Sequence, residues 1–560
     1  MPLHRLLNRN DPARLRLRAQ KEEELGRWAK ATTIWLELAE AGDLDACHLI
    51  GERYEMGLGV VQNFVESERW FRIAAEAGNA ASQAKLGEIY FHGRSDGQAE
   101  KDSGSPEESA PTGGLRLLMS ATRNIEPDFV QAAHWNGLAA EAGETSAQVR
   151  LAFQYATGQG VERDPAKAEQ WFERAANAGH DGGAFGLGLL KAEGSERGSN
   201  WADAVKWFTL SAERGNSGAK LSLGLLCMRG EGLEKDEKRA IALFNEAAEQ
   251  GQVEAMHLLG QMHRFGVGTD ISPNEAETWL RRAAVRGHVK ALTDLASLLL
   301  EGPTPDPTSA SIYLREAAEA GHTDAQVLLG QMYLDGRGVP VDPELAFKWF
   351  KAAAGQGSPL ALERMGALTA QGAGTDRNEG EAATWFERAA EAGNAVALYN
   401  LGALEEMKPP LQRDLQRARQ WYERAAEKGH AEACLRLGIL CAGDGNRKNL
   451  IKAASWFSRG AELGSLDAMC NLGLLHIRGQ TLEAPEAGFA LLRRAAEGGG
   501  QAAAWALHNI YTEGHFARAD ELEARKWLEV AAKNGCAIAA KRLAEQSSPD
   551  VVASDMRPSL

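Results

Sequence analysis

Apolar and small residues recur along almost the whole chain with one fixed period, and inside each period they fall into two helical patterns. In the first, a small residue, a leucine-glycine pair and an aromatic or aliphatic residue follow at spacings of four, four and three, as in Ser82, Leu86-Gly87 and Tyr90. Such spacings put apolar groups on one stripe of a helix. In the second, a tryptophan-aromatic pair precedes two alanines and a glycine: Trp70-Phe71, Ala74-Ala75, Gly78 returns as Trp171-Phe172, Ala175-Ala176, Gly179, and again from Trp349, Trp385 and Trp421. Each period therefore predicts an antiparallel pair, a first helix rich in small residues and a second carrying the large aromatics. The tryptophan, or its apolar substitute at Ile34, Leu243, Tyr313 and Leu491, is expected to fill the seam between them. Truncating a side chain so buried costs about 3–5 kcal/mol.

The glycine that closes the second pattern stands at 42, 78, 143, 179, 215, 251, 287, 321, 357, 393, 429, 464, 499 and 535, mostly 36 residues apart. A helix that ends in a left-handed residue favours glycine there, because it has no Cβ to clash. Asn79, His180, His288, His322, Asn394 and His430 follow directly, which is N-cap chemistry for the next helix. The histidines at this position are read as structural and not as metal ligands. Four residues past the glycine the chain is alanine at nearly every copy; Ser82 and Gly183 depart from this and are also small. A small residue held at one register lets two helix backbones approach. A Gly-x-Gly turn, as at Gly57-Leu58-Gly59 and Gly336-Arg337-Gly338, ends the first helix.

A period copied this often makes an array in which each unit packs on its neighbours, and not a single globule. Residues 26–93 and 124–546 hold the repeats. Between them, the gap from Trp70 to Trp135 is 65 residues, one period plus 29. The extra residues, 94–123, are polar and aperiodic, and a disordered loop between the two helices of that unit is expected. Leu115, Leu117, Leu118 and Met119 within it could form a short helix on a partner, although a plain tolerated insertion accounts for them as well. Residues 1–25 form a basic arm whose helix should open at Asp11-Pro12, and residues 547–560 a disordered tail.

A net charge of −15 argues against a nucleic-acid partner, which needs a basic footprint. No apolar run approaches the roughly 20 residues of a membrane span. Six scattered cysteines form no disulfide framework; Cys434 and Cys441 fall on one predicted helix, too far apart to bridge. A reducing cytoplasm is expected, since no secretory leader is visible. The Ala-, Gly-, Leu- and Arg-rich composition suits a bacterium with GC-rich DNA.

The repeat, small-x-x-x-Leu-Gly-x-x-Tyr-x-x-Gly-x-Gly-Val and then Ala-x-x-Trp-Phe-x-x-Ala-Ala-x-x-Gly, resembles that of the Sel1-like repeat family, relatives of the tetratricopeptide repeats. The resemblance covers about residues 26–546. It implies an all-α, right-handed superhelical solenoid of about thirteen or fourteen helix pairs that binds protein segments. Its members assemble complexes in bacterial signalling, envelope and secretion-linked pathways. Departures are local: the turn becomes Pro303-Thr304-Pro305-Asp306-Pro307 in one unit and Lys408-Pro409-Pro410 in another, and Leu-Gly is lost at Ala296 and His508.

No Walker loop, zinc motif or nucleophile elbow is present in the sequence, and no cofactor, metal or catalytic residue is assigned. Ser82-Gln83-Ala84-Lys85 and Ser217-Gly218-Ala219-Lys220 match the acylating motif of β-lactam chemistry, with which some family members are linked; the companion motifs are missing. A hydrolase is thus the lesser alternative, and an immunity or secretion-associated binder of one toxin another. The favoured reading is a monomeric, non-enzymatic scaffold. In helix-pair solenoids the first helix lines the concave groove, so the resemblance assigns partner binding to its outer face. Lys85, Arg150, Arg364, Asn400, Arg436 and Asn471 stand seven residues past the glycine, and Arg229 and Phe265 fourteen past it. Trp505, like Tyr399, is a large residue six past it, fit to anchor a ligand or to fill the core. Basic groups on one stripe of an acidic chain point to an acidic protein or peptide partner.

Overall fold

The computed structural model describes residues 11–94, 125–194, 200–443, 445–481 and 484–546. Most of the expected insertion, with Leu115, Leu117, Leu118 and Met119, lies outside them, as does the expected tail. The described residues form 29 α-helices and no strand beyond one isolated bridge. The chain falls into two compact units, residues 1–288 and 289–560. Each is a run of antiparallel helix pairs, an all-α repeat solenoid.

In the first unit the helix Pro12–Glu24 packs on Trp28–Glu40, and regular pairs then run from Leu44–Met56 with Phe64–Glu76 to Val253–Phe265 with Pro273–Ala284. The second unit runs from Val289–Glu301 with Pro307–Glu319 to Gln501–Glu513 with Glu521–Lys533, and ends in Ala537–Gln546. The first helix begins after Asp11 with proline in its first turn, although the Asp11 side chain makes no cap bond.

All fourteen closing glycines have positive φ, between 78° and 101°. Asn79, His180, Asn394 and His430 accept a hydrogen bond from a backbone N–H of the helix they open, and His322 does not. Second helices are capped as well, by Asn63, Asp164, Asp342 and Asp414 among others. Each such cap is worth about 1 kcal/mol. The Gly-x-Gly turn has a further cause. A Cβ on Gly59 would stand 2.5 Å from the carbonyl oxygen of Trp28, and one on Gly374 2.1 Å from that of Pro343. Trp28 and Pro343 are the first residues of the preceding second helices. The second glycine is therefore a contact point between repeats as well as a turn residue.

The seam is filled differently from the sequence expectation. The residue after the tryptophan goes deepest: Phe71, Phe208, Phe244, Phe350, Phe386 and Tyr422 are all essentially inaccessible. Trp171, Trp207, Trp349, Trp385 and Trp421 are only half-buried, with Arg174, Arg388 and Arg424 lying over the faces of three of them. Trp70, Trp135, Trp279 and Trp527 are buried. The reason lies in the second glycine of the first helix. A Cβ there would meet the ring at 2.7 Å in Gly51–Phe71, 2.4 Å in Gly224–Phe244 and 2.6 Å in Gly366–Phe386. The glycine is a socket, and the position that faces it belongs to the second aromatic. The alanines four past the closing glycine are buried, as expected, and at Gly183 even a methyl would stand 2.5 Å from the backbone nitrogen of Ala176.

One socket is polar. Opposite Gly87 stands Asn136, fully buried, whose amide donates to Gln154 Oε1 at 3.0 Å and accepts from Arg150 Nε at 3.1 Å. This unit also carries the insertion, whose base is closed by paired backbone bonds between Arg94 and Ile125, both 2.8 Å. The extra residues thus leave the chain between its two helices, Ala80–His92 and Phe129–Glu141.

Candidate functional site

The outer face of the first helices is built from positions seven, ten and fourteen past each glycine. The fourteenth residue ends the helix, so Met56, His92, Arg229, Phe265, Met407 and Arg478 are all exposed. The seventh lies midway and is half-buried in every copy named above.

That half-burial decides the electrostatics. Lys85 Nζ lies 3.3 Å from Glu55 and 3.8 Å from Glu88. Arg436 lies 2.5 Å from Glu406, which also accepts from the Tyr422 hydroxyl at 2.8 Å. Glu55 and Glu406 come from the first helix of the preceding unit, some thirty residues back. Burial opposes ionisation of Glu406, yet the bonds from Arg436 and Tyr422 and the Arg436 charge outweigh it, and its carboxyl titrates below the ordinary range. Arg364 sits 3.7 Å from Glu363, and Asn400 donates to the same carboxylate at 3.3 Å. Arg150 is turned inward, donating to the Ala84 carbonyl at 2.8 Å, and burial lowers its pKa. In the expected cationic stripe Lys85, Arg364 and Arg436 therefore stand beside carboxylates, and Arg150 is spent on a backbone carbonyl and an amide. Arg229, 3.8 Å from Glu231, and Phe265 stay at the exposed helix ends.

The face instead opens into clefts. The larger, about 640 Å3, spans the first helices Ala431–Ala442, Leu466–Ile477 and Gln501–Glu513. Leu435, Ile439, Leu474, Trp505 and Phe516 make most of its apolar lining, and Asp467, Asn471, Arg478, Asn509, Glu513 and His515 its polar one. Ile439 is 41% exposed and Phe516 50%. A smaller cleft of about 310 Å3 holds Asn400, Leu404 and Met407. Of the sequence candidates, Asn471 and Trp505 thus come together, Asn400 lines a separate cleft, and the rest line neither of these two. Tyr399 stacks on His430 at 4.8 Å as part of the seam. Trp505, tilted against His508 at 5.2 Å, does both things: it packs and it lines the cleft.

Ile439 and Phe516 were not singled out from the sequence. Phe516 had a visible signal, because it occupies the second glycine of the turn, after Gly514-His515. A large apolar residue there turns a contact between repeats into an exposed ring.

The serine-lysine pairs do not form. Ser82 is fully buried with Oγ 2.9 Å from His48 Nδ1, while Lys85 is held by its carboxylates. Ser217 accepts from Gln252 at 2.9 Å, and Lys220 lies 2.9 Å from Glu246. Neither motif brings its lysine to its serine. No helix among the described residues is long and apolar enough to cross a membrane.

The family model of the Sel1 repeat matches residues 44–79, 80–104, 115–144, 145–180, 183–216, 218–252, 253–288, 289–322, 323–358, 359–394, 395–430, 431–465, 466–500 and 502–536. The fold is similar to that of c5321, a protective antigen of uropathogenic Escherichia coli displaying an SLR fold, at 26% identity over 87% of this chain and 92% of that one, with a TM-score of 0.55. A Sel1 repeat protein from Oxalobacter formigenes is 27% identical over 66% of this chain and 89% of its own, with a TM-score of 0.36. No curated protein matches the sequence. With fourteen matched segments laid over the helix pairs described above, this chain belongs to the Sel1 repeat family.

Proposed function

We propose that the protein is a non-enzymatic scaffold that docks a partner segment in the cleft of Trp505, Ile439 and Phe516. Sel1 repeat proteins mediate protein–protein interaction, and the carrying observation here is the cleft itself. It spans the first helices of three successive units, and it combines a half-buried indole with two exposed apolar side chains and a polar lining in which Arg478 is, among the described residues, the one cation beside Asn471, Asn509, Asp467 and Glu513. Rigid aromatic anchors of this kind dominate binding energy. The partner that fits is an extended or helical peptide with an apolar side chain for the cleft and a carboxylate for Arg478. The complexes it would assemble are those of bacterial signalling, envelope or secretion-linked pathways, and the similar c5321 is likewise a bacterial protein. The six cysteines, free and mostly buried, suit a cytoplasmic setting.

Affinity capture from native lysate, read by mass spectrometry, tests this with Ile439→Ser and Phe516→Ser against the exposed second-helix variant Ile312→Ser. A partner retained by wild type and Ile312→Ser but lost by the two cleft variants is expected. Equal recovery by all four proteins refutes the docking site.

A further inference from the structure

Glu254, His257 and His288 stand three and six residues past Gly251 and one past Gly287. The repeat brings these three positions together. Glu254 Oε2 is 2.9 Å from His288 Nε2, and its other oxygen is 3.9 Å from His257 Nδ1. The two imidazoles lie with centroids 4.5 Å apart and ring planes at 35°. One ligand atom from each residue falls within 4.8 Å of the others. A tetrahedral zinc ion at about 2.0–2.1 Å from its donors holds them about 3.3 Å apart, so side-chain rotations alone close the set.

From this geometry we infer that Glu254, His257 and His288 form a binding site for a transition-metal dication of the zinc type. The donor set selects the ion. Two imidazoles and one carboxylate suit zinc, and disfavour calcium and magnesium, which take oxygen shells. Burial supports the arrangement, because His257 is only 3% exposed and its ring is fixed by the helix Val253–Phe265. Glu254 is half exposed, which leaves a path for the ion and room for water at the remaining coordination position. On binding, His288 coordinates as the neutral imidazole with its one ring proton on Nδ1, and Nε2 exchanges its hydrogen bond with Glu254 for the ion.

The same three positions touch in other repeats without a donor set. Thr293 Oγ1 lies 3.0 Å from His322 Nδ1, Tyr399 stacks on His430, and Ser465 donates to Glu432 at 3.1 Å. Along the sequence only the repeat at Gly251 places glutamate, histidine and histidine there together. The architecture supplies the proximity and this one copy supplies the ligands.

The test is calorimetric titration of the EDTA-treated full chain with Zn2+, joined to visible absorption with Co2+ as the probe. One site per chain is expected, with Co2+ bands of four-coordinate intensity that zinc abolishes. His257→Gln and Glu254→Gln should each weaken zinc by more than the roughly 10–100-fold that even an outer-shell partner is worth. The exposed control His515→Ala should leave affinity unchanged. Glu254→Gln sits on the surface, so the result stands even where His257→Gln unfolds the repeat. Zinc uptake that is absent in wild type, or equal in wild type and Glu254→Gln, overturns the site.

Discussion

Phe386→Ala should destabilise its repeat more than Trp385→Ala, although tryptophan is the larger side chain. Phe386 is 2% exposed and closes on Gly366, where even a methyl would stand 2.6 Å from the ring. Such a ring removes about 150–250 Å2 from water, and at about 25 cal/mol per Å2 that is roughly 4–6 kcal/mol. Truncation to alanine keeps Cβ and costs about 3–5 kcal/mol, with the cavity unable to collapse onto a glycine. Trp385 is half-buried, and its further contacts are a 3.4 Å bond from Nε1 to Glu381 and Arg388 at 4.8 Å over the ring. An exposed cation–π contact adds about 0.5–1 kcal/mol, and the lost burial is roughly half that of Phe386. A total of about 2–3.5 kcal/mol follows. Because an array of repeats need not unfold in one step, the assay is native-state hydrogen exchange over the helices Pro359–Gln371 and Glu379–Glu391. A loss of protection in Trp385→Ala equal to or greater than that in Phe386→Ala would refute the socket account.

Two further outcomes follow from the same coordinates. Burial raises the Glu363 carboxyl above its ordinary pKa, so its contribution to stability is most favourable below the ordinary carboxylate range and is lost as pH rises through the raised value. Glu363→Gln should therefore melt higher than wild type at neutral pH and lose that advantage in acid, whereas an advantage that grows on acidification contradicts the assignment. Gly357 and Gly374 both have positive φ, but a methyl on Gly357 meets nothing within 4 Å, whereas one on Gly374 would lie 2.1 Å from the Pro343 carbonyl. Gly357→Ala should cost only the left-handed strain of about 1–2 kcal/mol; Gly374→Ala should cost more and expose the turn to proteolysis, and equal costs would remove the contact between repeats.

Periodic features were legible in the sequence because the physics repeats with them. The closing glycines, the small residues four beyond, and the helix pairs all stand where the spacing put them. The choice between Trp385 and Phe386 for the seam was less legible, since both are large and adjacent and only the facing glycine decides. A hint was present: the second position is apolar in nearly every copy, and Asn136 is the exception. The charge on the outer face was not legible at all. Arg436 and Lys85 look like free cations in a linear reading, while Glu406 and Glu55 lie about thirty residues away in sequence and within 3.3 Å in space. The cleft was half legible. Trp505 announced itself by size, but Ile439 joins it only because three successive first helices are stacked.

Glycine socket and aromatic plug belong to the same hairpin in Gly51 with Phe71, Gly366 with Phe386 and Gly438 with Phe457, whereas Phe172 closes on Gly186 of the hairpin that follows it. Hairpins of the first kind carry both halves of their own fit, and meet the next hairpin through small residues, a glycine turn and pairs such as Lys85 with Glu55. A gene segment encoding a hairpin of the first kind can be gained or deleted without orphaning a plug, so selection can lengthen or trim the chain there a hairpin at a time. The hairpin of Gly87 and Asn136 follows a different rule, since its polar plug is held by Gln154 and Arg150 of the following one. Those two hairpins must be inherited together.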